Sequence, residues 1–219
     1  MKGKLVTKLF SKYFSLELPD YCNKGGLIYY NNLDYYLKGL WFESSSFSAE
    51  TFTIEVFIQP LVIPADGYIL NIGSRLGVLD DRRDIWWTYS KEKETEIVKD
   101  IMHRIKRDAQ PFFNKFSTPV DFINTYHINR LSVKDRYKYE TYIYFLVLLG
   151  NYTEAEMKIP RFYNHLEKLM NDYPYLLPVC DRLNKLLTLL IQKDYKSALD
   201  LVESYRMFTL ESLNLFNHS

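Results

Sequence analysis

Arg75, Asp84, Trp86 and Trp87 are the residues whose types and spacing best suit contact with another molecule. The acidic run Asp80, Asp81 and Asp84 alternates with Arg82 and Arg83 and leads directly into Trp86-Trp87, while Arg75 stands in the loop before it. Clustered carboxylates can hold a hard cation or do acid–base work. Interspersed arginines neutralise such a site, so the run itself reads better as a self-paired, solvated loop. Tryptophan and arginine dominate binding hot spots because they join a large buried area to directional donors. The expected contact surface is therefore Arg75, Trp86 and Trp87 with the neighbouring Asp84. A competing reading puts one tryptophan in the core over a sheet and leaves the other as its lid.

Other reactive side chains are scattered. The four histidines, His103, His127, His165 and His218, form no HxH, HExxH or Cys-His pattern. Cys22 and Cys180 stand far apart with no CxxC neighbour. Ser44-Ser45-Ser46 lacks a nucleophile-elbow setting, and Gly73-Ser74-Arg75-Leu76-Gly77 lacks the Lys-Ser/Thr of a phosphate loop. No catalytic residue, metal or cofactor is assigned. The leading expectation is a non-enzymatic protein-binding module. The alternative is a small-molecule or nucleotide-binding enzyme with a deep polar pocket between sheet and helices, into which Arg75 and carboxylates would converge.

Charge excludes other partners. Lys and Arg number 28 against 27 Asp and Glu, a net charge of +1. Neither the first 90 residues nor the remainder is a basic module, so no attraction to nucleic acid or to an anionic membrane is expected. No stretch approaches the roughly 20 apolar residues of a membrane span. Lys8, Ser11 and Lys12 interrupt any leader-like run at the start. With two unpaired cysteines, the expected location is the cytoplasm. A composition 47% hydrophobic and 25% charged is that of a globular chain, and the 19 tyrosines suit half-buried positions.

The elements that must position these residues follow from periodicity. Leu5, Leu9 and Tyr13, flanked by Val6, Phe10 and Phe14, predict a first helix that ends at Leu18-Pro19, before a break at Gly25-Gly26. An antiparallel meander of about four strands follows: Leu27 to Tyr30, Tyr35 to Phe42, Thr51 to Gln59, and Tyr68 to Ile72. In the third, Phe52, Ile54, Val56 and Ile58 share one face, with Thr51, Thr53, Glu55 and Gln59 on the other. Gly73 to Gly77 reads as a loop. Glu94 to Ala109 predicts a helix closed or kinked by Pro111, and Ser117-Thr118-Pro119 predicts a capped start for a short one. Four helices follow, over 134–149, 153–170, 176–192 and 195–208, the last able to run on to Leu213. The fold class is α+β: residues 1–125 form the sheet-bearing domain, and 126–219 form a helical hairpin region able to pack with it.

Within that region Gly150-Asn151-Tyr152-Thr153-Glu154-Ala155 is echoed 43 positions later by Lys193-Asp194-Tyr195-Lys196-Ser197-Ala198. The Gly-x-Tyr-x-x-Ala piece, with Ile159 or Val202 four places on, resembles the tetratricopeptide class, which implies two helix-turn-helix hairpins with the small alanine between the arms. The spacing exceeds the usual 34, and Lys193 replaces the glycine. A second resemblance covers residues 1 to 125. Phe57-Ile58-Gln59-Pro60-Leu61-Val62-Ile63-Pro64, Asn71-Ile72-Gly73-Ser74-Arg75-Leu76 and Trp86-Trp87 look like a group of small bacterial α+β domains of unknown function. That resemblance implies a cytoplasmic immunity-like partner of a bacterial toxin.

Overall fold

The computed structural model describes residues 2–48, 50–79, 83–126 and 136–215. It is a mixed α and β protein whose chain divides into two compact units. One holds the chain up to Gln59 with Tyr68–Ser117; the other holds Pro60–Gly67 with, among the described residues, 118–215.

The first unit begins with α1 (Lys2–Leu9), a π-helical turn (Phe10–Phe14) and a last turn, α2 (Ser15–Glu17). Ser15 donates its backbone N–H to the carbonyl of Phe10, five residues back. That wider turn sets Leu9 and Phe14 in the core together with Val6 and Leu18. Six strands follow among the described residues: β1 (Tyr21–Lys24), β2 (Leu27–Tyr30), β3 (Tyr36–Ser44), β4 (Thr51–Pro60), β5 (Gly73–Arg75) and β6 (Trp87–Thr88). They form one antiparallel sheet in the order β1-β2-β3-β4-β5, with β6 also pairing β4.

Six strands replace the expected four. Gly25-Gly26 does not precede the sheet but turns its first hairpin, where Lys24 pairs Leu27 and Gly25 adopts φ 61°. Tyr68 to Ile72 is not a strand; the pairing falls on Gly73–Arg75, read from sequence as loop. β5 and β6 are three and two residues long, too short to show a period.

β4 is also buried on both faces. Phe52, Ile54, Val56 and Ile58 are in the core as the alternation requires, yet Thr53 and Gln59 are buried too. Thr53 donates its hydroxyl to the Ile85 carbonyl at 2.8 Å, and the Gln59 side chain accepts the Ile69 N–H at 3.0 Å. Returning loop backbone thus satisfies polar side chains that the sequence assigns to solvent.

Against the sheet the unit carries α3 (Glu94–Arg104), a second π turn (Ile105–Ala109) and α4 (Gln110–Asn114). Pro111 does not close this run: it sits in the first turn of α4, directly after the π turn. Glu94 is buried at the start of α3, where its carboxylate accepts bonds from Lys8 (3.2 Å), Lys12 (2.7 Å), Tyr13 (3.0 Å) and Tyr89 (2.6 Å). Those donors hold its pKa well below the usual carboxylate range, Lys12 contributing most.

The second unit comprises α5 (Pro119–Thr125), α6 (Arg136–Leu148), α7 (Tyr152–Glu167), α8 (Leu177–Ile191) and α9 (Tyr195–Ser212). Thr118 and Asp121 cap α5 reciprocally, with Pro119 in the first turn. α6 packs against α5, α7 and α9, and its middle, Tyr139 to Val147, is buried almost all round except at Tyr142. Pro60–Gly67 joins this core: Thr209 on α9 donates to the Ile63 carbonyl at 2.7 Å and accepts the Ala65 N–H at 3.1 Å.

The repeated half-motif has one geometry at both places. Gly150 and Lys193 take left-handed backbone, φ 75° and 57°. Gly150 N–H bonds Val147 and Asn151 N–H bonds Leu146; 43 residues on, Lys193 bonds Leu190 and Asp194 bonds Leu189. Ala155, Ala198, Ile159 and Val202 are fully buried. Tyr152 and Tyr195 stack face to face, ring centroids 4.2 Å apart at 3°.

Candidate functional site

The sheet brings Arg75, Asp84 and Trp86 together and sends Trp87 elsewhere. Arg75 on β5 lies opposite Glu55 on β4, at the end of a pairing that continues through Ser74↔Val56 to Gly73↔Phe57. Only glycine permits that last step, because a Cβ on Gly73 would stand 1.9 Å from the Val56 carbonyl oxygen. Gly77 plays the same part for the returning chain: a Cβ there would lie 2.4 Å from the Arg83 carbonyl oxygen. The glycines that bracket Ser74-Arg75-Leu76 therefore let two strands of backbone approach closely, and so deliver Asp84 and Trp86 to Arg75.

Arg75 donates to Asp84 in a close ion pair and lies 3.6 Å from Glu43 and 3.9 Å from Glu55. The Asp84 carboxylate also accepts the Trp86 indole N–H at 3.1 Å, and the guanidinium sits 5.0 Å from the Trp86 ring centroid. Glu55 has its pKa raised, first by burial and further by Glu43 and Asp84, with Arg75 opposing. Three carboxylates surround one guanidinium, so the cluster is net acidic and its arginine is engaged internally. Trp86 remains 39% exposed.

Trp87 is in the core instead. It pairs Phe52 across β4 and β6, stacks on that ring at 5.8 Å, and donates its indole N–H to Asp100 of α3 at 2.9 Å. Successive residues of an extended chain point to opposite faces, so adjacent tryptophans at a strand cannot share one surface. This is the arrangement of one core tryptophan and one outer one. Asp80, Asp81 and Arg82 lie outside the described residues, as do His127 and His218.

The remaining candidates form no reactive constellation. Burial pushes the Cys180 thiol up, away from a reactive thiolate. Among the described residues no group of three or more His, Cys, Asp and Glu is placed to hold a metal ion, and no helix is long and apolar enough to cross a membrane.

Sequence reasoning missed a polar concavity of about 420 Å³ lined by Tyr21, Tyr30, Tyr35, Asp20, Asp34 and Asn114 among others. Its signal was the tyrosine density between Tyr21 and Tyr36, read from sequence only as core or interface material. Neither it nor a groove of about 490 Å³ beside α3 is lined by Arg75, Asp84 or Trp86. Comparisons with protein-family models, with curated proteins and with solved structures find nothing that matches this chain.

Proposed function

We propose that the chain is a non-enzymatic protein-binding module whose contact surface centres on Trp86. The observation that carries this reading is a tryptophan left 39% exposed yet fixed on two sides, by the Asp84 carboxylate and the Arg75 guanidinium. An aromatic anchor ordered in advance loses little rotamer freedom on binding, which favours affinity at the centre of an interface. Glu43, Glu55 and Asp84 outnumber Arg75 around it, so the partner we propose presents a basic surface. In keeping with the resemblance of residues 1 to 125 to bacterial domains of unknown function, that partner is a toxin, neutralised by immunity-like binding in the cytoplasm. The paired turns at Gly150 and Lys193 support a tetratricopeptide-like reading of α6–α9 as two hairpins.

Quantitative capture from native lysate tests the surface, with wild type, Trp86→Ala and Trp87→Phe as baits. A partner held by wild type and Trp87→Phe but reduced about 30-fold by Trp86→Ala is expected, since a hot-spot truncation costs about 2 kcal/mol or more. Equal capture by folded Trp86→Ala refutes the assignment.

A further inference from the structure

The concavity at the edge of the sheet is a second site with its own chemistry. Its wall is built from the start of β1 (Tyr21), the end of β2 (Tyr30), the link into β3 (Asn32 to Tyr35) and one side of α4 (Gln110, Asn114). Tyr36 at the start of β3 is buried edge-to-face on Phe116, centroids 6.2 Å apart, which ties the chain after α4 to the strand. Tyr21 and Tyr30 meet edge-to-face at 5.5 Å. About 420 Å³ falls within the roughly 300–1,000 Å³ of small-molecule sites.

The lining selects a ligand by exclusion. Asp20 and Asp34 outnumber the one cationic side chain of the lining, Lys38, and disfavour an anion. At Tyr30 a cation finds its aromatic place taken, because the Lys38 ammonium lies 5.9 Å from that ring centroid. An apolar ligand would strand amides and carboxylates without partners. The side chains of Asp20, Gln110 and Asn114 make no hydrogen bond among the described residues, and all three line the cavity. A carboxylate accepts only, amides and phenols both donate and accept, and tyrosine rings offer flat apolar area beside them. Dense, mixed hydrogen bonding around a small apolar face is the complement of a ring of hydroxyls.

We propose that this cavity binds a neutral polyhydroxylated ligand of mono- or disaccharide size, its ring laid against the tyrosines and its hydroxyls on Asp20, Gln110 and Asn114. The site is separate from the Trp86 surface and does not depend on it.

Saturation-transfer NMR with D-glucose, N-acetylglucosamine and maltose, joined to a glycan array, tests it on the full chain. The expected result is binding of at least one saccharide, weakened about tenfold in Asn114→Ala and in Asp20→Asn and unchanged in Trp86→Ala. Asp20 and Asn114 are exposed, so both variants should fold, which circular dichroism checks. A blank array with no NMR transfer overturns the proposal, as does saccharide binding indifferent to both variants. Choline perturbing the cavity tyrosines while no saccharide does so would make the site a cation cage and equally overturn it.

Discussion

Replacing Arg182 by Met should make the stability of this protein depend on pH in a direction opposite to ordinary acid denaturation. Glu140 on α6 is fully buried, and one of its oxygens, Oε1, accepts from Tyr144 at 2.7 Å and from two nitrogens of Arg182 at 2.8 and 2.7 Å. Its other oxygen has no hydrogen-bond partner among the described residues. Burial pushes the Glu140 carboxyl above its ordinary pKa, with Arg182 the main opposing influence. Without that guanidinium the pKa rises further. A buried carboxylate that has lost its partner costs about 3–5 kcal/mol while it stays ionised. The folded protein can take up a proton instead, at about 1.4 kcal/mol per pH unit above the unfolded value of about 4.3. The folded state then holds more protons than the unfolded one, so stability is greatest below that unfolded value and falls as pH rises toward the folded pKa. Urea unfolding followed by circular dichroism should give a loss of about 1–2 kcal/mol at pH 5 and about 3–5 kcal/mol at pH 8. The double variant Glu140→Gln/Arg182→Met should recover much of the loss and flatten the pH dependence. A penalty equal at both pH values, or below about 1 kcal/mol at pH 8, refutes the reasoning.

Glu94 gives the opposite sign. Its pKa is lowered, so its contribution is present above the unfolded carboxylate range and lost as pH falls through it; the Tm difference between wild type and Glu94→Gln should shrink in melts taken below about pH 4.5. Gly73→Ala drives a Cβ into the Val56 carbonyl, which backbone pairing holds in place, and should cost more than about 2 kcal/mol in urea unfolding and alter Trp86 fluorescence as β5 shifts. Lys193→Gly relieves a left-handed non-glycine and should stabilise by about 0.5–1 kcal/mol, whereas Gly150→Ala should destabilise by about 1 kcal/mol; equal effects of one sign in thermal melts would contradict the matched turns.

What could be read in advance followed from period and turn chemistry. The Phe52 to Ile58 alternation located β4, and Thr118-Pro119 located the start of α5, because each signal is local. The repeat located two turns with the same hydrogen bonds, even where Lys193 replaces glycine. β5 and β6 escaped because strands of three and two residues are specified by their neighbour β4. The buried faces of Thr53 and Gln59 escaped because loop carbonyls and N–H groups far along the chain satisfy them. At the site, Arg75, Asp84 and Trp86 could be grouped from proximity in sequence. Adding Trp87 overlooked the alternation that separates neighbours on a strand.

The π turn at Ile105–Ala109 has a consequence for how this chain tolerates change in length. A π turn holds about one residue more than an α turn, and each residue of an α-helix advances the direction of its side chain by about 100°. Ile97, Ile101, Ile105, Ala109 and Phe113 recur in unbroken steps of four and are all buried, a spacing that a regular helix would carry progressively off the core. Deleting a single residue such as Lys106 would leave a plausible, even more regular helix in the sequence. Because the π turn takes up that one extra residue, its closure to an α turn would keep Phe113 and everything on α4, Asn114 included, near their present bearing, with buried steps of four, four, three and four. The helix and the aim of its far end would both survive, so the π turn works as a store of one spare residue, whereas the same deletion within the regular turns of α3 would turn everything after it by about 100°.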